Sequence, residues 1–118
     1  MFINEYVLSV DLKKRLSKTI PIFVQYDSAA IVFKVFNNGR EFDLTGLTKA
    51  IITHKLPDGS TFSEEGHLIS LDGQQAIRYT YSGGEMRIIG DVSITLALFA
   101  DTSKVTIPPL KLKITKNY

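Results

Sequence analysis

The sequence predicts an all-β fold: two stacked antiparallel sheets of Greek-key type, built from seven to nine short strands. Val92, Ile94, Leu96 and Leu98 alternate with Ser93, Thr95 and Ala97. That period of two puts one face of a strand in a core and the other near water. The same period recurs along most of the chain. Turn residues break it at short intervals, among them Asn37-Asn38-Gly39, Pro57-Asp58-Gly59 and Asp72-Gly73, which tolerate or preset the dihedrals of tight turns.

Taken in order, Tyr6, Leu8, Val10 and Leu12 oppose Val7, Ser9 and Asp11 in a first strand. Residues 13–19 are polar and basic and read as a loop. A second strand is expected from about Ile20 to Tyr26, with Ile22, Val24 and Tyr26 on one side. Ile31, Phe33 and Val35 form the next inward row against Val32, Lys34 and Phe36. After the Asn38-Gly39 turn the chain returns through Glu41–Leu44, and an extended run follows from Leu47 to Leu56. There Ala50, Ile52, His54 and Leu56 share a face.

Short strands are expected near 66–71 and 74–81, the second carrying the row Ile77, Tyr79, Tyr81. Ser82-Gly83-Gly84-Glu85 interrupts the pattern, and 85–89 has room for one helical turn. The last strand, Val105–Lys116, directs Leu110, Leu112 and Ile114 inward and Lys111, Lys113 and Thr115 outward. Pro108 and Pro109 within it cannot donate ladder hydrogen bonds. They require a bulge, a switch between sheets or an edge position.

A length of 118 residues suits one domain spanning 1–118, and 44% hydrophobic residues supply its interior. With no cysteine, a disulfide scaffold and a thiolate metal site are excluded. The net charge is +2, and aromatics do not interleave with the Lys13-Lys14-Arg15 and Lys18 cluster, which reads as a solvated loop rather than a nucleic-acid surface. The N-terminus lacks a secretory signal, and no segment reaches the roughly 18 apolar residues of a membrane span. The expectation is a chain that folds in a cytoplasm, binding neither nucleic acid nor membrane.

Chemistry-bearing residues are sparse. His54, Glu65 and His67 form a metal site only if the fold gathers them, and they follow no established ligand spacing. A hydrogen-bonded, partly buried His54 and an exposed His67 is the plainer expectation. Glu64 and Glu65 point apart if extended, whereas glycosidic acid–base work needs converging carboxyls. Asp27, Asp43, Asp58, Asp72 and Asp91 sit beside turn or strand-start signals, where aspartate accepts from nearby amides. No nucleophile elbow, P-loop, dinucleotide fingerprint or zincin helix is present. No catalytic residue, cofactor or metal is therefore expected.

Three stretches together are distinctive. Tyr26-Asp27-Ser28 leads into Ala30-Ile31-Val32-Phe33, with Asn38-Gly39 and Phe42-Asp43-Leu44-Thr45-Gly46 behind it. Ile51-Ile52-Thr53-His54-Lys55-Leu56-Pro57-Asp58-Gly59 follows, and Ile89-Gly90-Asp91-Val92 opens the long alternating strand. This order, over roughly residues 5–116, resembles the N-terminal domain of phage baseplate upper proteins, found in siphophages and prophages of Gram-positive bacteria. The resemblance implies an immunoglobulin-like sandwich that is a virion component and docks onto the tail or baseplate core. Downstream segments in that family form trimers and carry receptor-binding parts. This chain ends at Tyr118 without them, which suggests an excised domain or a short relative, monomeric when isolated.

The expected function is thus non-enzymatic docking to other phage tail proteins, with a homotrimer in a longer context. Phe36 and Phe99, opposite the main apolar rows, and the Lys111/Lys113 face are the candidate partner surface. The alternative is a carbohydrate-binding sandwich for cell-wall glycans, which needs a surface row of Tyr or Phe.

Overall fold

The computed structural model describes residues 4–13 and 21–116. Among the described residues nine strands follow in chain order: β1 (Asn4–Asp11), β2 (Ile22–Val24), β3 (Ala29–Asn37), β4 (Arg40–Glu41), β5 (Lys49–Lys55), β6 (Thr61–Leu71), β7 (Gln74–Tyr81), β8 (Gly90–Phe99) and β9 (Lys104–Thr115). A 3-10 turn occupies Gly84–Met86. Hydrogen bonding joins the strands into one path, β1-β3-β7-β6-β5-β8-β9-β2, with β4 pairing β3.

The all-β class and the number of strands agree with the sequence reading. The pairing does not: β1 runs parallel to β3 and β2 parallel to β9, so the sheet is mixed rather than antiparallel throughout. Alternating hydrophobicity says which face of a strand is buried, not which way its neighbour runs. A parallel pair needs a crossover of a dozen or more residues, and residues 12–28 between β1 and β3 provide it.

One strand makes the sheet curl. The first part of β6, Thr61–Gly66, pairs with β5, whereas His67–Leu71 pairs with β7. The strand therefore belongs to both halves and bends between them. Gly66 stands at that junction, where a Cβ would lie 2.7 Å from Ile77 Cγ2 and 3.1 Å from Ile52 Cδ1. The two far edges of the path also approach each other. Tyr6 Oη donates to the Ile22 carbonyl at 2.8 Å, and the Tyr6 and Phe23 rings meet edge to face at 4.8 Å. The result is a half-barrel with its apolar rows inside.

That interior holds Ile31, Phe33 and Val35 of β3, Ile52 of β5, Ile77 of β7, Val92, Ile94, Leu96 and Leu98 of β8, and Leu112 and Ile114 of β9. These are the rows read from the sequence. Each large side chain so buried contributes roughly 1.5–3 kcal/mol. In β2 the side shared by Ile22 and Val24 is the outer one. Ile22 and Val24 are 51% and 37% exposed and Phe23 is fully buried, because Phe23 fills the seam against Tyr6 and Tyr81. Tyr26 adopts a φ of 69° and belongs to the turn. Glu64 and Glu65 lie within β6, and of the expected Glu41–Leu44 return Glu41 pairs with β3 as part of β4, followed by a bond from the Phe42 amide to the Val35 carbonyl.

Two local devices complete the sheet. In β9, Ile107 is buried on an odd number, with Val105 on its side but 36% exposed, whereas Leu110, Leu112 and Ile114 face inward on even ones. The register with β8 steps from Leu96↔Ile107 to Ile94↔Leu110, so Pro108 and Pro109 both stand opposite Thr95. That is a β-bulge, which absorbs two residues that cannot donate and restores the phase of the apolar row. On the outer side of β3, Ala30 and Val32 are fully buried. They lie in register between β1 and β7, and the Arg78–Glu5 ion pair at 3.0 Å crosses β3 between their rows.

Gly66→Val should destabilise the fold by about 2 kcal/mol, because overpacking a filled core costs 1–3 kcal/mol. Urea unfolding checks this, and an unchanged midpoint would show that the junction has slack.

Candidate functional site

Two places carry polar chemistry: a cluster inside the half-barrel and the outer face of the β5-β8-β9 half. The interior cluster begins with His54, which the alternation of β5 points inward at 1% exposure. Its Nε2 is hydrogen-bonded to the Tyr81 hydroxyl at 2.5 Å. The ring stacks on Phe62 with centroids 4.4 Å apart and planes 8° from parallel, and Tyr81 meets it edge-on at 5.3 Å. Tyr79, two residues earlier on the same face of β7, packs against Tyr81 at 4.7 Å and donates to Glu85 Oε2 at 3.0 Å. Glu85 Oε1 accepts from the Ser82 amide and hydroxyl at 3.0 and 2.8 Å.

Electrostatics keep these groups in fixed protonation states near neutrality. Burial pushes His54 down to about 4, with the Glu85 charge pulling the other way. Burial likewise raises both phenols, Tyr79 additionally through its bond to Glu85. Burial works against ionisation of Glu85, but hydrogen bonds from its own backbone, Ser82 and Tyr79 outweigh it and lower the carboxyl below its ordinary value. A void of about 10 Å³ lies beside His54, lined also by Phe62, Tyr81, Glu85 and Met86. That is near the threshold for one water molecule. The cluster is therefore a hydrogen-bonded brace between β5, β7 and the 3-10 turn. The Tyr81 partner was not evident from sequence, since it needs β7 and β5 face to face. The Ser82-x-x-Glu85 spacing of a capping box was the available signal for Glu85.

The sheet does not assemble the His54, Glu65, His67 constellation. His54 faces inward, while Glu65, opposite Ile51, and His67, opposite Arg78, face outward. Among the described residues no group of three potential ligands converges. Asp43 and Asp58 do bond the amides of Thr45 and Ser60 as expected of turn aspartates. Asp11, not singled out from sequence, does more: buried, it accepts from the amides of Lys13, Asn38 and Gly39 and ties the end of β1 to the β3–β4 turn. Of the basic cluster, Lys14, Arg15 and Lys18 lie outside the described residues.

The outer face of β5, β8 and β9 is open and arranged in cross-strand rows. Lys49, Phe99 and Lys104 stand side by side, the two ammonium groups 5.0 and 5.5 Å from the ring centroid. Cation–π contacts at exposed sites contribute about 0.5–1 kcal/mol each, and here they hold both lysine heads near Phe99. The next rows are Ile51, Ala97 and Thr106, then Thr53 and Thr95, with Thr53 Oγ1 2.8 Å from Ser63 Oγ. Lys55, Ser93 and Lys111 follow, and finally Asp91 and Lys113, with β2 adding Ile22 beside Lys113. Lys111 Nζ lies 3.9 Å from Asp91 with both side chains exposed, so the pair adds little stability. Phe99, Lys111 and Lys113 thus share one face. Phe36 does not: it is half-buried on the other half of the sheet, in register with Asp11 and Glu41.

No protein-family model matches the chain, and no curated protein matches its sequence. Among solved structures, the fold is similar to the N-terminal domain of phage TP901-1 ORF48, at a TM-score of 0.75 and 15% identity. The match covers 97% of this chain and 100% of that one. At that identity the likeness is one of fold, and it links the curled mixed sheet to a phage protein.

His54 makes stability pH-dependent. Its folded pKa, about 4, lies below the unfolded value of 6.5, so in that window the unfolded chain binds the extra proton. Stability therefore falls as pH drops from about 6.5 to 4, by about 3 kcal/mol in all. Between pH 7 and 4.5, His54→Phe should lose about 2 kcal/mol less than the unaltered chain. Urea midpoints at the two pH values decide it; equal losses would mean another group titrates.

Proposed function

We propose that this chain is a non-enzymatic structural domain of a phage or prophage tail baseplate, made in the bacterial cytoplasm and incorporated into the virion. It anchors a tail protein to the tail core by protein–protein contacts. The observation that carries this reading is the end-to-end agreement of its fold with the N-terminal domain of a phage protein. The order of turn and strand motifs that resembles baseplate upper proteins supports it independently. On this reading the half-barrel is a variant of the immunoglobulin-like sandwich whose two layers share β6. Its partners are other tail proteins, and trimers arise where a longer chain supplies the means.

The interior chemistry agrees with a role in surfaces. His54, Tyr79, Tyr81 and Glu85 engage one another around a void near the size of one water molecule, which suits a rigid scaffold. A glycan-binding sandwich has less support, since Phe23, Phe33, Tyr79 and Tyr81 are core residues and cannot form the exposed row that reading needs.

Deleting the coding segment from a prophage that carries it should abolish complete baseplates and infectious particles, seen by negative-stain microscopy and plaque count. Normal infectious particles without the chain would end this reading.

A further inference from the structure

We infer that the outer face of β5, β8, β9 and β2 is the docking surface, and that it receives an acidic protein surface. The inference rests on the docking reading and adds the place and chemistry of the contact. Charge is the first argument. Lys49, Lys55, Lys104, Lys111 and Lys113 project from this face, with Glu65 and Asp91 the acidic residues among its rows. The outer face of the other half carries Glu5 and Glu41 against Lys34 and Arg78, with Arg78 already paired with Glu5 and Asp11 buried beneath its three amides. One side of this small domain is thus clearly positive and the other close to balanced. The net charge of +2 conceals that asymmetry.

Shape is the second argument. The middle of the face is flat: Ile51, Thr53, Thr95 and Ala97 are small or lie close to the sheet, and all four are half-buried. The lysines surround them, and Ile22 and Val24 extend the apolar part along β2. An apolar, weakly polar centre within a charged rim is the usual anatomy of a protein interface. Four strands at ~4.8 Å spacing and about eight residues of length give a footprint of ~500 Å². A stable interface takes ~800 Å² of accessible surface per partner, so a modest contribution from flanking loops completes it. A second copy in the same orientation is disfavoured, because it would set five lysines against five lysines.

Two measurements test the inference. In a strain lacking the chain, Lys104→Glu/Lys111→Glu/Lys113→Glu should enter purified particles at least about tenfold less than the unaltered chain, whereas Lys34→Glu on the opposite face should enter normally. If the triple variant enters normally while deletion abolishes assembly, this face is not the docking surface and the docking reading stands. If particles form normally without the chain, the docking reading itself is wrong. Separately, NMR titration of the purified chain with poly-L-glutamate should move amide signals of β8 and β9 and leave those of β1 and β3 in place. Shifts centred on β1 and β3, or the same shifts produced by duplex DNA at lower concentration, would overturn the choice of an acidic protein.

Discussion

The bend in β6 is the constraint on which the rest of this structure depends. A flat sheet of nine strands would leave every apolar row open to water on one side. By pairing its first half with β5 and its second with β7, β6 turns one sheet upon itself, so that Ile31 and Phe33 share an interior with Ile52, Ile94 and Leu112. Only a residue without a side chain fits at the fold line, since Ile77 and Ile52 occupy the space a Cβ would take. Closure at the far side, through Tyr6, Ile22 and Phe23, follows from that curl.

Polar groups are placed where the curl would otherwise leave gaps. Near the 3-10 turn, His54 and Glu85 bind the hydroxyls of Tyr81 and Tyr79. At another end, Asp11 binds three backbone amides of its own loop and the neighbouring turn. A buried polar group left unpaired costs more than a typical hydrogen bond contributes, so such networks favour one arrangement over others. The same groups that resemble catalytic residue types in the sequence are, in the fold, internal fasteners. His54, neutral because it is buried, shows the difference most directly.

With the interior occupied in this way, the chemistry of the outer faces is free to vary. Alternation requires only that one side of each strand be apolar and leaves the chemistry of the other side free. In β5, β8 and β9 that freedom is used for rows of lysine around small side chains. In β1, β3 and β7 it is used for an ion pair over Ala30 and Val32. A scaffold built like this can present different surfaces without altering its core.

The amino-acid sequence by itself determined the strand class, most inward rows and most turns. A period of two, a Pro-Asp-Gly and an Asn-Gly report local geometry, and local geometry is a matter of near neighbours. The break at Pro108-Pro109 was legible for the same reason, and the bulge is its outcome. Direction and partnership were not legible: nothing in Tyr6 to Val10 says that β1 will lie parallel to β3, nor anything in Ile22-Phe23-Val24 that Phe23 will close the seam. Phe99, Lys111 and Lys113 stood out as outward residues. That the first shares a face with the other two while Phe36 does not was decided by the tertiary structure. Strand order and curl depend on contacts between residues far apart in the chain, and alternation along one strand carries no record of them.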